Sequence, residues 1–218
     1  SCDTLYVSHA LTIDADLELF SQELVIGASG SITSTARLVI NGNLVNNGTL
    51  FAPYVRLWGP GTAQNTGTIG GGVFITVKDS CHNDGRIITT DSIVVGVIRY
   101  LVNDGRLQSG VLYNLGRFYN TDTTIVETLN SYSFIFSNTG VILATGSVTS
   151  EGTSFYNFGT VEADSISIFH GFQCWACRFI CRTAFVNGRD FSVEGEFVNN
   201  GRLITRDFYN TENGFLRG

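Results

Sequence analysis

Four side chains able to bind zinc or form disulfides fall close together: His170, Cys174, Cys177 and Cys181, in F-H-G-F-Q-C-W-A-C-R-F-I-C. Zinc ribbons and fingers split their ligands into two separated pairs, and this cluster is too compact for that pattern. Disulfide chemistry is the better reading, with Cys2, Cys81, Cys174, Cys177 and Cys181 as candidates, and no metal site is expected. Five cysteines cannot all pair within one chain, so one is left free or bonded to another subunit. Asp14, Asp16 and Glu18, spaced by two, share one face of an extended strand. The chain lacks the Gly-rich Asp nonapeptide of a calcium-binding β-roll, so that face reads as solvated. Asp84, Asp91 and Asp104 stand where a turn favours Asp for conformational reasons, and His9, His82 and His170 fall far apart. No Ser-His-Asp arrangement, phosphate loop or H-E-x-x-H occurs. Neither a catalytic residue nor a cofactor is expected.

The elements that carry these residues come from a repeat. L-V-N-D-G-R-L at 101–107 recurs as L-V-N-N-G-T-L at 44–50, A-Q-N-T-G-T-I at 63–69 and C-H-N-D-G-R-I at 81–87. Further copies are F-S-N-T-G-V-I at 136–142, F-Y-N-F-G-T-V at 155–161 and F-V-N-N-G-R-L at 197–203, with a degenerate F-Y-N-T-D-T-T at 118–124. The marker residues are Asn46, Asn65, Asn83, Asn103, Asn120, Asn138, Asn157 and Asn199, separated by 19, 18, 20, 17, 18, 19 and 42 residues. The last gap reads as two periods with one marker lost, and a period of about 18–20 residues fits one coil of a parallel β-helix and is too short for the common helical repeats. In an extended chain the pattern apolar, x, Asn, x, Gly, x, apolar turns the named residues to one side. Asn at equivalent heights then predicts an amide ladder, and Gly two residues on predicts a tight bend. L-Y-N-L-G-R-F at 112–118 is out of phase and predicts a ladder at a different corner.

After each copy comes a turn former, at Asp91, Gly146, Asp164 and Asp207, and then a short alternating strand. The fold expected is all-β: a single right-handed parallel β-helix over 1–218 with about 18–20 residues per coil, interrupted at 169–184 by the cysteine-rich stretch. Residues 1–30 read as first coils without the ladder. Phe136 and Phe155 fall in the inward phase, as core filling. The 25 Gly and 16 Phe, with no Met and 15% charged residues, agree with this class. A net charge of -6 argues against a nucleic-acid partner or an anionic membrane surface, which would call for a basic face, and no stretch is long and apolar enough to be a membrane span.

The Asn-x-Gly-x-apolar units, followed by A-T-G-S-V-T or T-T-D-S-I-V, resemble the repeats of filamentous-haemagglutinin-type secreted bacterial proteins. They are also similar to the β-helical domains of fungal hyphally regulated cell-wall adhesins. The resemblance implies a secreted, extracellular or cell-surface, non-catalytic β-helix acting as stalk, filament or adhesive module. Together with an odd cysteine count and a sequence that stops in mid-repeat, it gives the expectation of a structural subunit stacking end to end into a filament or surface layer. The alternatives are an adhesin module binding glycans or a cell-surface partner, and a polysaccharide lyase-like enzyme.

Overall fold

The computed structural model describes residues 4–97, 99–132, 135–151, 154–168, 171–186, 191–205, 209–210 and 215–217. Every strand pairing in it is parallel, and among the described residues there is no helix. The chain winds as a β-solenoid of about 19 residues per coil, each coil adding one rung to three ladders. The first ladder holds the four-residue strands that end in the marker Asn, such as Ser80–Asn83, Tyr100–Asn103 and Arg117–Asn120. The second and third ladders are the two halves of the longer strands that follow, such as Arg86–Val95 and Arg106–Asn114. The strand bends between the halves, and the register shifts there, for example between Ile88 and Ser92. Asp91 and Gly146 stand in such bends, as turn formers should.

The coils before the first Asn copy belong to the same stack: Thr4–Val7 pairs with 23–26, and Ala10–Ile13 pairs with Ser31–Ser34. At the other end, Gly171–Val186 pairs in parallel with both Ser154–Asn157 and Thr160–Ile168. The interruption expected at 169–184 is therefore one of motif and not of backbone pairing; the cysteine-bearing strand takes its place in the ladders. A β-ladder needs only N–H and C=O groups, which Cys supplies as well as Asn.

Side-chain volume is traded between ladders at each height. The first-ladder core column reads Ala63, Cys81, Leu101, Phe118, Phe136, Phe155, all buried. Where that column is narrowest, at Ala63, the third ladder supplies buried Phe74; where it widens to Phe118, the others supply Thr124 and Leu129. Such large-against-small matching keeps a core at native density. Phe136 and Phe155 stack at 4.6 Å between ring centroids and 4° between planes, as the sequence phase implied.

Candidate functional site

The residues singled out by the repeat meet in one column. Each Asn side chain, from Asn46 to Asn138, donates from Nδ2 to Oδ1 of the Asn one coil on. The distances are 2.6 Å for Asn46 to Asn65, Asn65 to Asn83 and Asn83 to Asn103, 2.8 Å to Asn120, and 2.7 Å to Asn138 and Asn157. All seven are buried, at most 1% exposed. The second Nδ2 proton of Asn65 meets the main chain, Gly67 O at 3.3 Å and Arg86 O at 3.2 Å, so the amide also ties the corner to the next strand. A single direction of donation aligns the amide dipoles along the axis, and such chains polarise one another. Asn46 Oδ1 has no donor, because Ile26 is its rung partner on the preceding coil.

The glycine two residues after each Asn is required by proximity and not by an unusual backbone angle. Among described glycines a positive φ occurs only at Gly59, Gly61 and Gly71, none of them in this turn. At Gly85, a Cβ would lie 2.2 Å from Gly67 O of the coil before. The amides of Asp84 and Gly85 both donate to Asn65 O, at 2.8 and 2.9 Å, and this pair of hydrogen bonds holds the turns together. In the degenerate copy Asp122 occupies the glycine place, and its amide stands 3.4 Å from Asn103 O. The turn opens there to admit a Cβ.

Asn199 does not continue the column. The 42-residue gap suggested two periods, yet the rung partner of Asn157 is Cys174, followed by Val193, while Asn199 pairs with Cys181 on the second ladder. The out-of-phase copy at 112–118 does ladder elsewhere: Asn114 closes a third-ladder strand, and its Nδ2 donates to Ser131 Oγ at 3.1 Å. Cys81 is free and buried, which removes it from the disulfide candidates. Burial pushes its thiol up to about 12, with the Thr76 hydroxyl working the other way. Cys2 and the side chains of Cys174, Cys177 and Cys181 lie outside the described residues. Among the described residues no three His, Cys, Asp or Glu side chains gather as a metal site. Asp16 instead pairs with Arg37 at 3.4 Å.

A second constellation, which the repeat did not reveal, occupies the corner from the third ladder back to the first. Lys78 is fully buried; its Nζ donates to Trp58 O and, at 3.3 Å, to Pro60 O. Desolvation lowers its pKa to about 8, with the neighbouring Asp79 carboxylate working the other way. Asp79 also pairs with Arg99 and accepts from the Gly61 amide at 3.2 Å. The Arg56 guanidinium lies 4.2 Å over the exposed Trp58 ring. Trp58, Gly59, Pro60, Val77, Val97 and Arg99 line a shallow pocket of about 590 Å³. A signal for this corner was in the sequence: Lys78 is the only lysine, every other basic residue of the 13 being Arg. An amine, unlike a guanidinium, can be desolvated and remain a donor to two carbonyls.

On the same side of the rod, Arg117 donates to Tyr100 Oη, and its guanidinium lies 4.8 Å over the Tyr100 ring, which stacks with Tyr119 at 6.3 Å. No helix among the described residues is long and apolar enough to cross a membrane. Comparison with known proteins finds no matching family model, no matching curated protein and no matching solved structure.

Proposed function

We propose that this chain is a non-enzymatic, extracellular structural protein whose coils stack end to end into a filament or surface layer. The observation that supports it is the sameness of the coil-to-coil contact. From Asn46 to Asn138 each coil offers the next one a parallel ladder edge, a buried Asn amide and a turn carbonyl that takes one or two amides. The parallel ladder edge does not depend on the two coils belonging to one chain, so the main-chain groups of an end coil meet the same donors and acceptors in a second molecule, while the Asn column itself stops at Ile26 and Cys174. Negative-stain electron microscopy with mass in solution tests this, with and without reductant. Uniform fibres one coil-stack wide are expected, and their loss under reductant would place a cysteine at the joint. A stable monomer in both conditions would contradict the proposal.

The second reading, an adhesin module, draws on the cation-aromatic pairs of Arg56 with the exposed Trp58 and of Arg117 with the half-buried Tyr100, which suit the faces and hydroxyls of sugars. Glycan-array binding lost in Trp58→Ala would favour it.

A further inference from the structure

In a solenoid, position along the sequence becomes height along the rod, so charge clustered in sequence becomes charge in bands. Every Lys and Arg ahead of Arg178 lies within 37–117. Residues 118–177 contain Asp122, Glu127, Glu151, Glu162 and Asp164 and no Lys or Arg. The rod thus carries a basic band followed by an acidic one. On the outward side of the second ladder this becomes local. Arg86 and Arg106 are direct rung partners and both exposed, a like-charge contact in which neither guanidinium has an ion-pair partner among the described residues. One column over, Gln108, Ile125, Leu143 and exposed Glu162 follow on successive coils. Between the charged ends stand Ile125, Leu143 and the exposed Val141.

We propose that two copies of this chain associate side by side and antiparallel through their second-ladder faces, about a two-fold axis at the height of Ile125. Arg86 lies two coils before that height and Glu162 two coils after it, each about 10 Å away at about 4.8 Å per coil. Reversal of one rod therefore sets Arg86 of each copy beside Glu162 of the other, Arg106 against the coil of Val141, and Ile125 against itself. The contact is isologous, so both ion pairs form together. A second copy fits better than a polyanion, because the acidic band adjoining the arginines would repel a polyanion and attracts the basic band of another rod. This lateral contact is separate from end-to-end stacking, which uses coil edges.

The test is sedimentation equilibrium of the full chain at about 0.01 M and about 1 M NaCl, where the screening length falls from about 30 Å to about 3 Å. Side-by-side association at low salt that dissociates at high salt is expected. Arg86→Glu and Glu162→Arg should each weaken it by at least about tenfold. Mixing the two variants should restore it, since one contact then pairs the introduced carboxylate with the introduced guanidinium and the other keeps the native pair. Should R86E lose its far-ultraviolet β spectrum, Arg86→Gln, which removes the charge without reversing it, tests the same contact, and it too should weaken the low-salt association. A chain monomeric at low salt, association indifferent to both variants, or no rescue on mixing would overturn the proposal. End-to-end stacking would survive in every variant as fibres of single-rod width, so the two failures are told apart by electron microscopy.

Discussion

Two corners of the same coil solve the same problem differently. At the corner after the first ladder, every coil from Asn46 to Asn157 repeats one device: a buried Asn amide above another, with a turn so close to its neighbour that glycine follows in all copies but one. At the corner between the third ladder and the first, each coil has its own device. Trp58 to Gly61 carries two glycines of positive φ, Val77 to Asp79 a buried lysine, and the next coil Arg99, which reaches back to Asp79. A group that bonds to its own copy must recur at every height, so the first corner is periodic. A corner satisfied by cross-links between unlike residues is free to vary, provided each coil answers the one before it. The first device gives cooperativity and the second gives a surface.

The largest loss should follow from cutting the periodic corner in its middle. Asn103→Ala removes the acceptor of Asn83 and the donor to Asn120, and leaves a cavity between buried amides. A cost of about 4 kcal/mol in denaturant unfolding is expected. An effect under about 1 kcal/mol would mean that the column is incidental. Gly85→Ala should cost about 3 kcal/mol, since its Cβ would meet main-chain atoms of the preceding coil, which can yield only by parting the turns. Gly70→Ala sharpens the contrast: its Cβ would come 3.1 Å from the exposed Phe51 ring, a side chain able to swing aside. Its effect should stay within about 0.5 kcal/mol, the smallest of the series.

The variable corner should instead show itself in pH dependence. Lys78 has a folded pKa of about 8 against 10.5 ordinarily, so between these values the unfolded chain binds more protons and stability rises with pH. Cys81 works in the opposite sense: with its thiol at about 12 against 9.0, the unfolded chain loses its proton first, and stability falls above pH 9. Unfolding free energy should therefore climb by about 1 kcal/mol between about pH 8 and 9 and then level or turn down. Lys78→Met should flatten the climb, and Cys81→Ala should extend it towards about pH 10. An unchanged slope in Lys78→Met would remove the buried amine as its cause.

The legible part of the fold was the part built by self-stacking. Asn46 to Asn157 could be read directly because an amide ladder imposes both residue type and spacing; the out-of-phase Asn114 does lie at another corner, where its partner is the Ser131 hydroxyl and not a second amide. Asn199 misled because a motif marks a local turn shape and not which ladder it joins; the coils past Asn157 keep their length, with Cys174 and then Val193 at its rung, and the same letters fall on the second ladder. The turn glycine was placed correctly for an incomplete reason, since closeness to the preceding coil is invisible in one coil's sequence. Asp104 and Arg106 stand two residues apart in the repeat, yet their partners lie elsewhere: Arg106 donates to Gln108 at 3.0 Å, and Thr121 donates to Asp104 from the next coil. Lys78 was missed because its partners are main-chain carbonyls, which no sequence pattern displays.

The stacked amide column is tested most directly by hydrogen exchange of asparagine side chains, followed by NMR on the assigned Nδ2 protons. Asn65, Asn83, Asn103, Asn120 and Asn138, each with neighbours on both sides, should exchange as slowly as core backbone amides, whereas the exposed Asn43 and Asn47 should exchange within the dead time. Fast exchange at Asn83 and Asn103 in a protein whose strand amides remain protected would contradict the column, and with it the repeated contact on which the filament proposal rests.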